Sequence, residues 1–535
     1  MTTPALPIPA LSLAERRWLV IATAVVLLLL ALPTLLGFIL STPALQFTGI
    51  TLGIDDGFSY LTKMRVGTDG GWLYTNRYAT APHPPALIYL YYLVFGKIAG
   101  PSVFGQALVY NLTRLLGAAA YLWLTYPLAA LLLVEVWQRR LAWLLIHLGG
   151  GLGLLLILFT GQALPFGNAP FELYLNEAFS LHMLLALPHT PIARALLLGG
   201  FFVFLKAVHA QRWTTALLAG LLWLLSAIFL PLEIFTAGVI VGGLLLAHTL
   251  ATRTLHWSTV ALGLLAGLPG ALYVVATWAL MQGDPVYAAW NNQNLLPLPH
   301  PLHLLAAYGL PALIAAFGLP AATPIPTGRF LLGWLALNAM LPLIPLSFQL
   351  RFIEGLWLPL AILTAYGLPH LLTRLRLTAT AAPRIAGVGL LVLLLPGSLL
   401  LYIGTLFQVN ARPHPLFLPA DQLAAYAWLD ANASPGSILL SAPDTGLIAP
   451  ARANLRVVIG HGFETPNYHA REIAVESFYA NPTTSDLLTA ENVAYVWFGP
   501  AEAELPNANP TALATLPNLA PVFQQGEFII YQVQP

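Results

Sequence analysis

Long apolar blocks separated by short polar turns fill the chain from residue 18 to residue 407. Each block is roughly 18–25 residues long, the length at which a helix crosses a hydrocarbon layer of about 30 Å. The blocks predict about eleven transmembrane helices and a mainly α-helical, polytopic bundle over residues 1–407. The predicted spans are residues 18–40, 107–135, 141–160, 193–209, 214–230, 234–251, 259–281, 303–319, 330–348, 357–373 and 385–407.

Residues 41–106, between the first two predicted spans, form one large loop in this interpretation. Its apolar stretch Pro85–Ile98 is too short to cross a bilayer, and a juxtamembrane or re-entrant helix suits it better. The first span follows Arg16 and Arg17, exceeds the length of a signal-peptide core and has no small-residue cleavage site after it. It is predicted to be a retained signal anchor.

After residue 407 the apolar runs become shorter and the pattern changes. An amphipathic helix is predicted over Asp421–Asn432, followed by short strands with turn or helical segments between them. The predicted strands are Ser437–Ser441, Arg456–Ile459, Val493–Phe498 and Phe528–Val533. Residues 408–535 are therefore expected to form a small α/β domain. Its polar, glycine-bearing loop Gly460–His469 follows a strand and is a candidate binding segment.

Composition narrows the functions that this architecture can support. Of the 535 residues, 58% are hydrophobic and 8% are charged, whereas about 25% are charged in typical soluble domains. The net charge of +1 and the lack of an Arg/Lys-rich tract argue against a nucleic-acid partner. The lack of cysteine excludes disulfides and thiolate chemistry. No GxGxxG, Walker A or GxSxG motif is present, so the C-terminal domain is predicted to bind acceptor or cover an active-site cavity.

Basic residues set the predicted orientation, because lysine and arginine are enriched in cytoplasmic loops. With the N-terminus inside, the cytoplasmic turns contain Arg16, Arg17, Arg139, Arg140, Arg212, Arg253, Arg329, Arg374, Arg376 and Arg384. An odd number of spans then makes residues 408–535 extracytoplasmic in a multi-pass plasma-membrane protein. Most carboxylates before residue 408 fall at the outer face. Selection against outer basic residues and an acidic outward-facing cavity both account for this distribution.

The first loop carries the most informative polar residues. Asp55 and Asp56 follow the first span, and Asp56, Tyr60 and Lys63 are spaced to share one face of a helix. A carboxylate held near the bilayer surface can have a raised pKa and act as a general base. Alternatively, one of the two acids caps a helix that runs to Gly67, since Asp is favoured at that position.

Further along this loop, His83-Pro84-Pro85 leads into an aromatic segment. An acidic pair just after the first transmembrane helix, followed by a His-Pro-Pro segment that opens a juxtamembrane helix, resembles the GT-C superfamily of membrane glycosyltransferases. The pattern is similar to that of protein O-mannosyltransferases and aminoarabinose-transferase-like bacterial proteins. The resemblance covers the first loop and, more loosely, the helix count and the outward C-terminal domain.

The resemblance implies a catalytic carboxylate in the first loop and a sugar donor linked to polyprenyl phosphate. The family commonly has Asp-Glu where this chain has Asp55-Asp56, which leaves open which acid is the base; Asp55, the first acid, is slightly favoured. His83 matches the His-Pro-Pro segment, and it is expected to bind substrate together with Tyr60 and Lys63.

Three charged residues outside the first loop are also substrate-binding candidates. The resemblance suggests that Glu177, in the second outer loop, positions acceptor or metal, whereas a solvated loop acid is the favoured interpretation from the residues alone. Arg351 lies between two spans at the outer surface, where it would bind lipid phosphate or pair with Glu354 at i+3. Arg114, near the outer end of the second span, would pair with the acidic pair or with phosphate.

Together with these features, the resemblance implies an inverting membrane glycosyltransferase that moves a sugar from a polyprenyl-phosphate donor at the outer face. The expected partners are that donor, a glycan, lipid or protein acceptor, and membrane lipids, and the one candidate cofactor is a divalent cation. A transporter or flippase of lipid-linked sugars is an alternative, although the internal repeats typical of that class are not found. A non-enzymatic scaffold with a binding ectodomain is the third interpretation.

Overall fold

The computed structural model describes residue 6 and residues 10–162, 169–346, 348–377, 379–483 and 486–534. Its contacts divide the chain into two compact units. The helical unit comprises Met1–Leu32, Thr113–Val275 and Leu295–Phe407, and the mixed unit comprises Pro33–Leu112, Ala276–Asn294 and Gln408–Pro535. The mixed unit therefore combines the whole first loop with the C-terminal residues.

Up to residue 411 the described chain is almost entirely helical. The helices are α1 Leu13–Leu40, α2 Ile54–Thr68, α3 Leu90–Ala99, α4 Val103–Ala130, α5 Val136–Leu148, α6 Gly153–Thr160, α7 Phe171–Tyr174, α8 Ser180–Ala186, α9 His189–Ala210, α10 Trp213–Phe229, α11 Glu233–Thr252, α12 Trp257–Gly283, α13 Pro285–Gln293, α14 Pro301–Ala322, α15 Pro326–Met340, α16 Trp357–Arg374, α17 Ala382–Leu394 and α18 Pro396–Ala411. Short 3-10 helices cover Leu341–Leu343 and Gln349–Ile353.

In the described part of the chain, seven helices are long and apolar enough to cross a membrane, or nine spans if two bent helix pairs each count as one. The chain is thus a multi-pass membrane protein. Each of the eleven predicted spans overlaps a helix, but α10 and α15 have only 17 and 15 residues. The span predicted at 330–348 is shortened because α15 gives way to a 3-10 turn containing Pro342; residue 347 lies outside the described residues.

Two predicted spans are bent helix pairs. Helices α5 and α6 meet at 70°, and helices α17 and α18 meet at 47°. The first bend follows the glycine-rich stretch 149–151, and the Glu172 carboxylate accepts the N–H of Leu154 at 2.9 Å in the first turn of α6. The second bend lies at Pro396, whose nitrogen cannot donate to the preceding turn. Both segments are apolar on each side of the bend, so hydropathy along the sequence does not detect the break.

In the mixed unit, α2 and α3 pack at backbone distance. A Cβ atom on Gly67 would lie 2.0 Å from the carbonyl oxygen of Leu93, and one on Gly96 would lie 1.7 Å from that of Met64. The helix expected over Pro85–Ile98 begins only at Leu90, so the His-Pro-Pro segment does not open it. Ala86, which directly follows the His-Pro-Pro segment, exchanges two main-chain hydrogen bonds of 2.8 Å with Tyr74. These bonds hold the chain around Ala86 extended.

A two-stranded ribbon ties the first loop to the C-terminal residues. Strand β1, Leu45–Phe47, pairs antiparallel with β2, Phe417–Pro419, so that Phe47 lies opposite Phe417. Their rings are 5.2 Å apart and belong to a buried apolar cluster with Val409 and Leu416. Sequence periodicity missed both strands, because each is only three residues long.

The remaining strands form one five-stranded mixed sheet. They are β3 Ser437–Leu440, β4 Leu455–Val457, β5 Tyr495–Phe498, β6 Leu519–Gln525 and β7 Phe528–Val533, in the order β4-β3-β5-β7-β6. Strands β4, β3 and β5 are parallel, and β7 runs antiparallel to β5 and β6. The helices around it are α19 Ala420–Asn432, α20 Pro443–Arg452, α21 Tyr468–Ala480, α22 Leu487–Ala490, α23 Pro500–Ala503 and α24 Pro510–Ala514.

The sheet confirms the predicted small α/β fold. All four predicted strands and the predicted helix over Asp421–Asn432 are present within a few residues of their expected bounds. Strand β6 was missed because it contains Pro521 and is largely exposed, as is typical of an edge strand.

We expect Gly96→Ala to destabilise the mixed unit, because its methyl group would meet the main chain of α2 rather than a movable side chain. Overpacking of this kind typically costs about 1–3 kcal/mol. Gly283→Ala, whose Cβ would meet nothing within 4 Å, is the matched control and should be neutral or slightly stabilising. Thermal unfolding in detergent compares the two; equal midpoints would contradict the close packing of α2 on α3.

Candidate functional site

The acidic pair lies in the first turn of α2. The residue before the helix is Gly53, which has a left-handed backbone (φ 65°), and no side chain caps the helix there. The expected capping role of Asp55 or Asp56 is therefore wrong. Because a helix N-terminus favours negative charge, both carboxylates are compatible with this position without capping it.

A cavity of about 570 Å³ surrounds the two acids. It lies wholly within the mixed unit, and its lining consists of residues 52–56, residue 408 and residues 461–463. Asp55 and Asp56 come from α2, whereas His461 and Phe463 come from the loop after β4. No lysine or arginine belongs to this lining, so the cavity suits a neutral or cationic group better than a phosphate.

The two carboxylates experience different surroundings. Partial burial raises the pKa of Asp55, and the charges of Asp56 and Asp444 add to this effect, whereas His461 opposes it. His461 is closest to the second acid, with its Nε2 atom 3.6 Å from Oδ1 of Asp56. A carboxylate with a raised pKa binds a proton more readily, which is the property that a general base requires.

A buried ion pair fixes the loop after β4 to α2. The Nζ atom of Lys63 lies 2.7 Å from Oε1 of Glu464, and the two side chains are 0% and 4% exposed. Ser59 donates to the same oxygen, and the Tyr74 hydroxyl donates to Oε2 at 2.9 Å. The amide of Asn76 donates to the main-chain carbonyl of Glu464 at 2.8 Å. Every oxygen of Glu464 is thus hydrogen-bonded to the first loop.

Aromatic rings enclose the Lys63 ammonium. It lies 4.4 Å from the ring centre of Tyr89 and 5.1–5.5 Å from those of Tyr60, Tyr74 and Trp290. Cation–π attraction therefore supplements the ion pair in a site that excludes water.

Burial and the ion pair move the pKa values of both partners. Burial lowers the pKa of Lys63, against the opposing charge of Glu464. Burial alone would raise the pKa of Glu464, but Lys63 and His461 outweigh it and hold this pKa below its ordinary value. Glu464 is therefore ionised near neutral pH, and Lys63 is occupied by protein groups. Its predicted contact with substrate is untested, and the geometry gives it a positioning role.

The other first-loop candidates are also held by neighbouring protein groups. His83 accepts the N–H of Asn76 through Nε2 at 2.9 Å, and its Nδ1 lies 2.9 Å from the carbonyl of Ala81. Its ring packs edge-on against Tyr287. Tyr60 stacks on Tyr92 with ring centres 4.5 Å apart.

The remaining candidates belong to the helical unit. Arg351 pairs with Glu177, its Nη1 lying 3.2 Å from Oε1, so the structure joins two residues that were predicted separately. Glu354 accepts two hydrogen bonds from Arg194, at 2.6 and 2.9 Å, and its alternative pairing with Arg351 stays a prediction. Arg114 is buried and donates to the carbonyls of Leu184 and Leu30 at 2.8 and 3.2 Å.

Among the described residues, no group of three or more His, Asp or Glu side chains is arranged to hold a metal ion. In the acidic cavity, the Nδ1 atom of His461 already accepts main-chain N–H groups, so Nε2 carries the ring proton and is not free to ligate. This donor set does not fit a protein-held cation, and a divalent cation stays a prediction.

Comparison with known proteins identifies the fold. No protein-family model and no curated protein sequence matches the chain. A crystal structure of the Archaeoglobus fulgidus oligosaccharyltransferase in complex with Zn and sulfate matches with a TM-score of 0.50 and 14% identity, over 88% of this chain and 67% of that chain. The chain has the fold of a GT-C membrane glycosyltransferase. The resemblance inferred from the first loop is thereby confirmed at the level of fold.

A second solved structure matches the chain with a similar TM-score and identity. The crystal structure of ArnT from Cupriavidus metallidurans bound to undecaprenyl phosphate has a TM-score of 0.49 and 14% identity, and the match covers 95% of this chain and 98% of that chain. ArnT is likewise a GT-C glycosyltransferase.

Sequence reasoning missed Glu464 and His461 as partners of the first loop. The signal available was the polar, glycine-bearing loop Gly460–His469, which was singled out for binding without a partner. Nothing in its spacing indicates that it meets residues 59–76, since that pairing depends on the tertiary fold.

We expect Glu464→Gln to destabilise the mixed unit by about 3–5 kcal/mol, because it leaves the Lys63 ammonium buried without a counter-charge. Adding Lys63→Met should restore part of this loss, and a double-mutant cycle from denaturant unfolding in detergent measures the coupling. Glu472→Gln, which removes an exposed contact with His469, is the control and should cost less than about 0.5 kcal/mol. Additive single and double effects would contradict a coupled pair.

The same pair should make stability depend on acid pH. Because the pKa of Glu464 is lower in the folded protein than its ordinary value of 4.5, its contribution is present above pH 4.5 and is lost as the pH falls through the lower, folded value. The difference in thermal midpoint between the native protein and Glu464→Gln should therefore shrink below pH 4.5. A difference that stays constant down to pH 3 would argue against an ionised Glu464.

Proposed function

We propose that this protein is a membrane glycosyltransferase that moves a sugar from a polyprenyl-phosphate donor to an acceptor hydroxyl, with the acidic pair of α2 as the source of the catalytic base. The observation that carries the proposal is the Asp55-Asp56 pair at a cavity without basic lining, in a chain of GT-C fold. The polyprenyl-phosphate donor rests on the resemblance of the first loop to that superfamily.

In the proposed reaction, the carboxylate takes the proton of the acceptor hydroxyl, and the acceptor oxygen attacks the anomeric carbon. The bond from that carbon to the phosphate oxygen breaks, and the lipid phosphate leaves with the electron pair. Attack opposite the leaving group inverts the anomeric configuration. The raised pKa of Asp55 supports its role as the base, because a general base works best when its pKa lies closer to the working pH.

The cavity lining favours the acceptor over the donor phosphate. Two carboxylates in a lining that contains no lysine or arginine disfavour a phosphate, whereas they accept hydrogen bonds from hydroxyl groups. We assign the lipid phosphate to arginine instead, with Arg351 as the binding residue and Glu177 as the acid that orients its guanidinium. Arg114, His83 and Tyr60 stay proposed substrate-binding residues.

The proposed topology follows the charge distribution. The N-terminus is cytoplasmic, the sheet-bearing C-terminal residues 408–535 are extracytoplasmic, and transfer takes place at the outer face of the plasma membrane. The C-terminal residues act as an accessory domain that completes the acceptor cavity through the loop after β4.

Transfer assays in proteoliposomes test the proposal. Mass spectrometry of co-purified lipids first identifies the donor, which is then supplied with radiolabelled sugar. Asp55→Asn with Asp56→Asn should lower the rate by about 10²–10⁴-fold, the range for loss of a general base. Glu527→Gln, an exposed acid between β6 and β7, is the control and should keep the native rate. Full transfer by the double variant would refute the mechanism, and lipid-linked sugar crossing the bilayer without transfer would favour a flippase.

A divalent cation is tested in the same assay. EDTA treatment followed by return of Mg²⁺ or Zn²⁺ shows whether transfer depends on added metal.

A further inference from the structure

The loop after β4 holds the ring of His461 in one orientation. Its Nδ1 atom lies 3.3 Å from the main-chain nitrogen of Phe463 and 3.2 Å from that of Glu464, and both N–H groups donate to it. A ring nitrogen that accepts hydrogen bonds carries no proton, so the proton of the neutral ring is on Nε2. The residue is only 4% exposed, which leaves the ring little freedom to turn.

The protonated nitrogen faces the acidic pair. The Nε2 atom of His461 lies 3.6 Å from Oδ1 of Asp56. This separation exceeds an ordinary N–H···O hydrogen bond, but it is too short for an intervening water. Hydrogen bonds of catalytic groups are commonly long in the free enzyme and tighten when substrate binds. The Nε2–H group of His461 is thus positioned to donate to the carboxylate of Asp56.

The ion pair described above determines this placement. Glu464 follows His461 by three residues and is tied to Ser59 and Lys63 of α2, the helix that carries Asp56. Donor and acceptor therefore sit on two segments joined by a buried contact. A ring held through two main-chain N–H groups on a fixed loop is a built arrangement rather than an incidental surface contact.

We propose that His461 is a positioning residue that holds Asp56 through its Nε2–H and thereby leaves Asp55 as the carboxylate that takes the acceptor proton. The inference rests on the proposed function and resolves the ambiguity between the two acids. An accepted hydrogen bond stabilises the ionised form of Asp56 and occupies one of its oxygens. Asp55 keeps its oxygens for the acceptor hydroxyl.

The Nδ1 atom of His461 accepts two main-chain N–H groups, so only Nε2 of the ring is available to donate to Asp56. The titratable groups that face the ring are Asp55, Asp56, Glu464 and the phenol of Tyr78. A pH profile must be interpreted with all four.

A spectroscopic experiment tests the geometry without relying on activity. Full-length protein labelled with ¹⁵N-histidine is placed in nanodiscs, and subtraction of the His461→Gln spectrum isolates the His461 signals among the 13 histidines. We expect a ring that carries a proton on Nε2 and accepts hydrogen bonds at Nδ1. Asp56→Asn should shift the Nε2 resonance, whereas Glu527→Gln should leave it unchanged. An Nδ1-protonated ring, or a signal insensitive to Asp56→Asn, would overturn the proposal.

Kinetics then test the consequence for transfer. His461→Ala should lower kcat at least about tenfold and move the acid limb of the pH profile, whereas His461→Gln, which keeps an N–H donor, should recover part of kcat. His209→Gln alters an exposed histidine in the last turn of α9, outside the mixed unit, and should match the native protein. Asp55→Asn should be the more damaging of the two single acid substitutions.

The outcomes separate the two proposals. If the native protein transfers no sugar, the proposed function fails, and the NMR result still decides whether His461 donates to Asp56. If transfer occurs but His461→Ala keeps the native kcat and pH profile while thermal unfolding confirms its fold, the positioning role is refuted. A more damaging Asp56→Asn would refute the assignment of Asp55 as base.

Discussion

The buried contact between Lys63 and Glu464 is the constraint on which the mixed unit depends. An ammonium group with no exposed surface is tolerated only with a counter-charge and a full set of hydrogen bonds. Glu464 supplies the charge, Ser59 and Tyr74 complete the hydrogen bonds, and aromatic rings cover the remaining faces. Pairing this one buried charge therefore determines the position of the loop after β4, and that loop forms one wall of the acidic cavity.

The cavity shows how a polar site is built beside close backbone packing. Helix α2 approaches α3 through Gly67 and Gly96, which leaves that face of α2 rigid. The first turn of the same helix, after the left-handed Gly53, is open and carries both carboxylates. The acidic pair therefore lies on an open turn of a helix that is closely packed along its other face.

The sequence predicted the elements well and their partners poorly. Apolar block lengths located the helices, and period changes located four strands of the sheet, because both signals are local. Arg351 pairs with Glu177, 174 residues away, and spacing along one helix cannot indicate a contact of that separation. Glu464 was not predicted, because sequence periodicity reports local structure and does not indicate a contact between distant segments of the mixed unit. The acidic pair was found because residue type and position after the first helix were sufficient.

The contact between Lys63 and Glu464 joins residues 401 positions apart, and this separation has a consequence for biogenesis. At a synthesis rate of roughly 5–20 residues per second, the first loop exists for roughly 20–80 s before its carboxylate partner is made. During that interval Lys63 stays hydrated, and the tyrosine rings that surround it in the folded protein are exposed to solvent. The acidic cavity thus acquires its second wall only near the end of translation.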